Sequence, residues 1–327
     1  MADYQLNFNS DNCVSPSARS AVVSSNCTLA GRRLLTNPLP PRSLQSAACP
    51  EVMAALMEAN TGEQGSYGID EPTARVGELL KGAFETEHLQ SYPVATGTAA
   101  NALAVASSTA SYQALFCTRT AHLYEDELGA PELFSGGCKL ISVDELPGDE
   151  NAGKMDPEHL SALLAHLRPV VHESQAAGVS ITQPTEMGTV YSLDEIRAIS
   201  AIAKAHNMLF HMDGARFANA LENLGVSPAE MTWRCGVDIL SFGATKNGAM
   251  CAESIVYFEQ AEGGGGGGGS ATQQSAGEYS TGSADPTDLR VQAPWSLTTE
   301  QAAARVPIHR KRTGHLFSKM RCENDEF

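Results

Sequence analysis

A lysine and an aspartate with complementary chemistry each follow a short apolar run of the chain. Lys246 lies in a small-residue turn, residues 243–248, directly after the run 237–242. Asp213 directly follows a second apolar run, residues 208–212. Buried strands of an α/β protein carry their ligand-binding residues at their carboxyl ends. The pattern therefore predicts that this amine and this carboxylate serve one site.

This pair suits pyridoxal 5'-phosphate (PLP), because that cofactor needs an amine for a Schiff base and a carboxylate beside its pyridine nitrogen. Lys246 is the candidate for the amine, and Asp213 is the candidate for the carboxylate. The ordinary alternatives are a surface lysine in a turn and an aspartate that caps a helix. The two together, each after an apolar strand, favour an enzyme of amino-acid metabolism.

Three further segments carry residues that fit such a site. Residues 96–101 lead into an apolar helix, so Gly97 and Thr98 are candidates for holding a phosphate at the helix N-terminus. His122 follows a strand, and its flat imidazole suits stacking on a pyridine ring and proton transfer. Arg216 has the geometry to bind a substrate carboxylate with two hydrogen bonds. A structural histidine and a surface salt bridge are the alternatives for the last two residues.

Composition excludes several classes of protein. The 327 residues are 42% hydrophobic, which is enough for a sizeable core, and the net charge is −16. No basic stripe is present that would neutralise phosphates, so a nucleic-acid partner is not expected. No apolar run is long enough to suggest a membrane span, and no signal peptide is found, so we expect a cytoplasmic protein. The eight cysteines are scattered and predict reduced thiols rather than a metal site.

Helical periodicity alternates with short apolar runs over residues 48–260, which predicts an α/β fold with a mostly parallel sheet. Ser192 and Glu195 predict a capping box, with an apolar helix face after it and Asn207 as its stop. Two segments break the pattern: 14–47 is rich in Ser, Arg and Pro, and 261–307 is rich in Gly and Ser. Both are expected to be low-complexity, disordered insertions.

In combination, these motifs resemble the threonine aldolase family of PLP enzymes, especially its bacterial low-specificity L-threonine aldolases. The match is carried by 10–12 (Ser-Asp-Asn), 67–70 (Tyr-Gly-Ile-Asp), 96–101 (Thr-Gly-Thr-Ala-Ala-Asn), 121–122 (Ala-His), 182–186 (Thr-Gln-Pro-Thr-Glu), 211–216 (His-Met-Asp-Gly-Ala-Arg) and 242–246 (Phe-Gly-Ala-Thr-Lys). The last two motifs in this order are the most specific. The resemblance implies the aspartate-aminotransferase type of large PLP-binding domain, made here of residues 1–13 and 48–260.

The resemblance also implies a role for each candidate residue. Lys246 is the Schiff-base lysine and Asp213 the pyridine partner, while His122 stacks on the ring and accepts the proton of the substrate hydroxyl. The phosphate is held by Gly97 and Thr98. The substrate carboxylate is bound by Ser10 and Arg216. The implied reaction is retro-aldol cleavage of L-threonine or L-allo-threonine to glycine and acetaldehyde, in a homotetramer built as a dimer of dimers.

The chain departs from the family pattern in three places. Residues 14–47 and 261–307 interrupt the motif series, and residues 308–327 resume it before the chain ends. The insertions have two possible origins, lineage-specific loops or translated intron sequence. The small C-terminal domain of the family, which supplies a second carboxylate-binding arginine, is expected to be missing. Two alternatives to an aldolase therefore stay open: another PLP-dependent lyase, racemase or transaminase, and a non-catalytic fragment.

Overall fold

The computed structural model describes residues 48–65, 68–168 and 170–259, and these form one seven-stranded sheet in the order β1-β7-β6-β5-β4-β2-β3. The strands are β1 (Leu89–Val94), β2 (Gln113–Thr118), β3 (Lys139–Val143), β4 (Gln175–Thr182), β5 (Leu209–Gly214), β6 (Ile239–Gly243) and β7 (Glu253–Phe258). Strands β3, β2, β4, β5 and β6 are parallel, whereas β7 is antiparallel to both β6 and β1. The prediction of an α/β fold with a mostly parallel sheet is therefore confirmed.

The helices alternate with these strands. They are α1 (Pro50–Ala59), α2 (Glu71–Ala83), α3 (Gly97–Ser108), α4 (His122–Glu125), α5 (Ala130–Ser135), α6 (Pro157–His166), α7 (Leu193–Ala205), α8 (Phe217–Leu224) and α9 (Pro228–Met231), with short 3₁₀ turns at Asp149–Asn151, Trp233–Cys235 and Thr245–Asn247. Within the described part of the chain, no helix is both long and apolar enough to span a membrane.

Helix α7 shows how the local sequence determines an element. The Ser192 hydroxyl accepts from the Glu195 amide, and the Glu195 carboxylate accepts from the Ser192 amide, so the predicted capping box is confirmed. Ile196 and Ile199 lie on the buried face of the helix. The helix ends before Asn207, whose φ of 53° is left-handed and cannot continue it.

Strand β1 was not predicted from the sequence. It contains Pro93, which cannot donate to a ladder, and it pairs only with β7 in the described sheet. Proline is tolerated on such an edge strand because one side of the strand needs no ladder hydrogen bonds. The connection from β6 to β7, residues 244–252, is too short for the crossover that a parallel pair needs, and the two strands pair antiparallel.

Four aromatic rings join strands β6 and β7 to the end of α2 and the start of α8. Phe84 packs against Phe217, Phe242 and Phe258, with ring centroids 5.8, 5.8 and 5.2 Å away. Aromatic pairs at these separations add stabilisation beyond the area that they bury. Because Phe242 precedes the Lys246 turn and Phe217 begins α8, this aromatic cluster fixes the positions of both.

Candidate active site

The predicted site segments meet at one edge of the sheet. Asp213 is the penultimate residue of β5, which is parallel to β6, and the Lys246 turn follows β6 directly. His122 begins α4 just after β2, which runs in the same direction as β5 through β4. Gly97 begins α3 after β1, which also runs in this direction because β7 is antiparallel to both of its neighbours. Carboxyl ends of such strands are where α/β proteins bind ligands.

Asp213 is buried and held by two donors. Its Oδ2 accepts from Asn101 Nδ2 at 2.8 Å, and its Oδ1 accepts from the Ala215 amide at 3.0 Å. A buried carboxylate is tolerated only when donors or a cation compensate for its lost hydration. Asp213 caps no helix here, because α8 begins at Phe217 with Arg216 as its cap residue. The two hydrogen bonds therefore fix the position of this buried carboxyl group.

Asn101 connects Asp213 to a second acidic side chain. The same Nδ2 of Asn101 donates to Glu127 Oε1 at 2.9 Å, and Glu127 Oε1 lies 3.0 Å from Nδ1 of His122. The hydrogen bond with Glu127 raises the pKa of His122 above its ordinary value, although burial opposes this. Burial raises the pKa of Glu127, against the hydrogen bonds from His122 and Asn101. Glu127 and His122 thus form a protonatable pair beside Asp213.

His211 ties together the three strands below Asp213. Its Nδ1 lies 2.8 Å from the Ser180 hydroxyl on β4, and its Nε2 lies 2.9 Å from the Ser241 hydroxyl on β6. Burial lowers the pKa of His211 to about 4. A neutral imidazole has one donor and one acceptor nitrogen, so one ring satisfies both hydroxyls without a buried charge. His211 is therefore a structural crosslink beneath the site.

Lys246 lies half-buried in the 3₁₀ turn Thr245–Asn247. Two hydrogen bonds that involve side chains help to close the turn: Asn247 Nδ2 donates to the Gly243 carbonyl, and the Ala252 amide donates to the Thr245 hydroxyl. A Cβ on Gly243 would lie 2.8 Å from the Ala215 Cα, so the turn after β6 can approach the end of β5 only with glycine there. The sequence thus places the Lys246 turn against the Asp213 segment.

The start of α3 provides backbone donors. The Thr96 hydroxyl caps the helix by accepting from the Ala99 amide. The amides of Gly97 and Thr98 also lie in the first turn, where no carbonyl of the helix can accept from them. Such amides at a helix N-terminus bind phosphate well. A Cβ added to Gly97 would meet no protein atom within 4 Å, so the described fold itself does not require glycine there.

Arg216 faces an acidic residue on the same edge. Its Nη1 lies 3.4 Å from Oε2 of Glu186, and both side chains are half-buried. Glu186 follows β4, and its charge also acts on the His122 imidazole. The predicted carboxylate-binding arginine is therefore at the site, in contact with a carboxylate of the protein.

Several buried oxygens of this edge make no hydrogen bond within the described residues: Asn101 Oδ1, Glu127 Oε2, Thr182 Oγ1 and Glu186 Oε1. Buried polar atoms normally find partners, so each such atom needs an explanation. The Asp213 carboxylate, the Lys246 amine and the backbone amides at the start of α3 are further polar groups of this edge. PLP has the aldehyde, the pyridine nitrogen and the phosphate that these three groups suit, and the residues therefore fit it.

The family model described as beta-eliminating lyase matches residues 44–319. The chain belongs to the beta-eliminating lyase family. Two curated relatives are low specificity L-threonine aldolases, from Pseudomonas aeruginosa (45% identical) and from another Pseudomonas strain (43% identical), both over 215 residues. These alignments cover 66% of this chain and 60% of each relative, so the chain matches less than two thirds of either relative's length.

Solved structures agree with this family. The threonine aldolase of Leishmania major is 26% identical, with a TM-score of 0.59 over 65% of this chain and 60% of that one. A solved structure from an Exiguobacterium species, 14% identical with a TM-score of 0.52 over 82% of this chain and 60% of that one, shows the fold alone. The resemblance predicted from the motifs is confirmed.

In this member of the beta-eliminating lyase family, most of the predicted residues lie at one edge of the sheet, and three other residues there were missed. Ser10 lies outside the described residues, as do the segments 14–47, 261–307 and 308–327. Asn101, Glu127 and Glu253 were given no role from the sequence, yet all three are buried around Asp213 or the Lys246 turn. Burial raises the pKa of Glu253, and hydrogen bonds with Thr245 oppose this. The sequence signal that could have indicated Glu253 is its position as an acidic residue at the start of an otherwise apolar, buried strand.

Proposed function

We propose that this protein uses PLP to cleave L-threonine or L-allo-threonine by a retro-aldol reaction into glycine and acetaldehyde. The observation that carries the proposal is the fixed Asp213 carboxylate at the end of β5, beside the turn that bears Lys246 after the parallel strand β6. When bound, the cofactor supplies an electron sink that stabilises the carbanion left on the glycine carbon. The residues around it bind, orient and move protons.

Three groups would hold the cofactor. Lys246 would bind its aldehyde carbon, and Asp213 would pair with its protonated pyridine nitrogen. The amides of Gly97 and Thr98 at the start of α3 would bind its phosphate. Asp213 suits its role because its two donors, Asn101 and the Ala215 amide, hold it in one orientation in a buried place.

His122 would accept the proton of the substrate β-hydroxyl. Its Nδ1 faces Glu127, which leaves Nε2 as the nitrogen available for this proton. The ring is partly exposed, with 29% of its side-chain surface accessible, so a substrate can reach it. A base works only in its unprotonated form, so activity should fall as the pH drops through the pKa of His122.

The substrate carboxylate would be bound by Arg216, with Ser10 in support. Arg216 already contacts a carboxylate oxygen of Glu186 at 3.4 Å, a long separation for a charge-assisted hydrogen bond. A substrate carboxylate can therefore exchange with, or add to, that contact. The role of Ser10 depends on the sequence resemblance alone.

We also propose that the chain works as a homo-oligomer, built as a dimer of dimers. Helix α1 exposes Met53, Leu56 and Met57, and α2 exposes Val76 and Leu79. Each set lies on one face of its helix, and exposed apolar faces of this kind are typical of protein–protein interfaces. Cytoplasmic localisation stays a prediction from the sequence.

The test is aldehyde release from threonine. The purified protein, loaded with PLP, is incubated with L-threonine and with L-allo-threonine, and acetaldehyde is followed by coupled reduction with NADH and alcohol dehydrogenase. We expect cleavage that His122→Phe abolishes while the variant still binds PLP, and that His206→Phe, a change at the exposed end of α7, preserves. Racemised amino acid or keto acid without acetaldehyde would instead indicate a different PLP reaction on this fold.

A further inference from the structure

We propose that Glu127 and Asn101 are positioning residues that join His122 to Asp213 in one hydrogen-bonded chain. The proposal rests on the proposed function, because it assigns His122 and Asp213 to the reaction and adds what holds them. We do not propose that Glu127 or Asn101 contacts the substrate. Their role is to fix the orientation of the imidazole and of the carboxylate relative to each other.

The geometry forms an uninterrupted path through three elements. His122 begins α4, and Glu127 follows that helix. Asn101 lies in α3, and Asp213 is the penultimate residue of β5. The three links measure 3.0 Å from His122 to Glu127, 2.9 Å from Asn101 to Glu127 and 2.8 Å from Asn101 to Asp213. Each lies within normal hydrogen-bonding distance, so the chain has no gap that a water molecule would need to fill.

The two carboxylates determine which way the Asn101 amide points. Its nitrogen donates both hydrogens, one to Glu127 and one to Asp213. The reversed amide would direct its oxygen at two carboxylates and lose both hydrogen bonds, so that orientation is excluded. Asn101 therefore separates two acidic groups and satisfies one oxygen of each, which neither an apolar nor an acidic side chain can do there.

Glu127 is 4% exposed, although a carboxylate at this position must be desolvated at a cost. A residue needed only to fill space here would be apolar. Its Oε1 serves both His122 Nδ1 and Asn101, whereas its Oε2 has no partner within the described residues. This position thus requires an acceptor that faces the imidazole, as in sites where a carboxylate orients a catalytic histidine.

The charged groups around His122 predict a pH effect with a definite sign. The imidazole is faced by Glu127 from the loop after α4, by Asp213 from β5 and by Glu186 from the loop after β4. All three are acidic and favour the protonated ring, and Glu127 is the one in contact. Replacing Glu127 by a neutral amide should therefore lower the pKa of His122 and move the acid limb of the activity profile to lower pH.

The test compares Glu127→Gln with Glu125→Gln, a matched change at an exposed position of α4. The His122 ring is titrated by NMR in the protein without PLP and then with PLP, and kcat and KM for threonine cleavage are measured across pH. We expect Glu127→Gln to lower the His122 pKa, to shift the acid limb in the same direction and to reduce kcat by roughly ten- to a hundredfold with little change in KM. Glu125→Gln should match the wild-type protein in all four measurements.

A second variant keeps the test decisive if Glu127→Gln folds poorly. Glu127→Asp retains the charge, so the His122 pKa should stay closer to the wild-type value than in Glu127→Gln. An unchanged His122 pKa and an unchanged acid limb in a folded Glu127→Gln protein would overturn the proposal. The NMR titration needs no turnover, so a wild-type protein that lacks aldolase activity but shows the Glu127-dependent pKa would refute the proposed function and leave this coupling intact.

Discussion

Asn101 Nδ2 lies 2.8 Å from Asp213 Oδ2, and this contact joins the first helix of the site to the strand that carries its carboxylate. We expect Asn101→Ala to weaken PLP binding, because Asp213 would lose a donor that holds it in position. A hydrogen bond to a charged group contributes about 1.5–3 kcal/mol, which corresponds to a rise in Kd of roughly ten- to a hundredfold. Fluorescence or absorbance titration with PLP measures this change. Asn223→Ala, at an exposed position of α8, is the control, and equal Kd values for the two variants would refute this role.

Gly97 permits a test of the phosphate site that separates binding from folding. A Cβ at Gly97 meets no protein atom within 4 Å, and the same is true of Gly82 in α2. Gly97→Ala and Gly82→Ala should therefore both fold, with a change in stability within about 1 kcal/mol. Only Gly97→Ala should raise the Kd for PLP, because its methyl group would crowd a phosphate on the helix N-terminus. Wild-type affinity in Gly97→Ala would place the phosphate elsewhere.

His211 predicts an acid-sensitive contribution to stability. Burial lowers its pKa from 6.5 to about 4, so the folded protein disfavours the charged ring. Below pH 6.5 the unfolded chain takes up a proton at this residue before the folded protein does. The contribution of His211 to the free energy of unfolding is therefore fully present above pH 6.5 and is lost as the pH falls from 6.5 through about 4. The free energy of unfolding should decline across this window by up to about 1.4 kcal/mol per pH unit on account of this residue.

The variant His211→Gln cannot titrate, so its stability deficit relative to the wild type should narrow as the pH falls. Urea unfolding at several pH values between 7 and 4 measures this difference. His206→Gln, at the exposed end of α7, should show no such narrowing. A deficit for His211→Gln that stays constant with pH would show that the buried imidazole is not the group responsible.

The aromatic cluster gives a prediction about stability. Phe84 is 1% exposed and packs against three other phenylalanines, including Phe242 next to the Lys246 turn. Phe84→Ala should lower the free energy of unfolding by about 3–5 kcal/mol, because it removes buried area and leaves a cavity. Leu133→Ala, at a side chain that is 73% exposed, should change it by no more than about 0.5 kcal/mol. Denaturant unfolding would contradict this account if both variants had similar stabilities.

Local sequence patterns indicate the candidate site residues more clearly than they indicate the order of the strands. Lys246, Asp213 and His122 stand out because polar residues interrupt apolar runs at strand ends, and those runs became β6, β5 and β2. Strand β1 does not stand out, because Pro93 and its half-buried neighbours lack both a continuous apolar run and a clean alternation. The order of strands cannot be read from local patterns, since it depends on pairings between distant parts of the chain.

Three buried residues of this edge, Asn101, Glu127 and Glu253, were missed for a different physical reason. Asn101 and Glu127 lie in segments whose visible signals were a small-residue turn and a histidine, and their roles depend on contact across 26 and 112 residues of sequence. Glu253 resembles an ordinary polar residue at the start of a strand until β6 and β7 pair. Hydrogen bonds made at long range are invisible to periodicity, whereas caps such as Ser192 with Glu195 are local and were predicted correctly.

The most direct test of the account is borohydride reduction of the protein loaded with PLP, followed by peptide mapping by mass spectrometry. We predict a visible absorption band that borohydride abolishes, with the reduced cofactor attached to Lys246. The band and the attachment should be absent from Lys246→Ala and retained in Lys139→Ala, a change at an exposed lysine of β3. A cofactor attached to another lysine, or Lys246→Ala with the same band as the wild-type protein, would contradict the assignment of Lys246 and Asp213 to one PLP site.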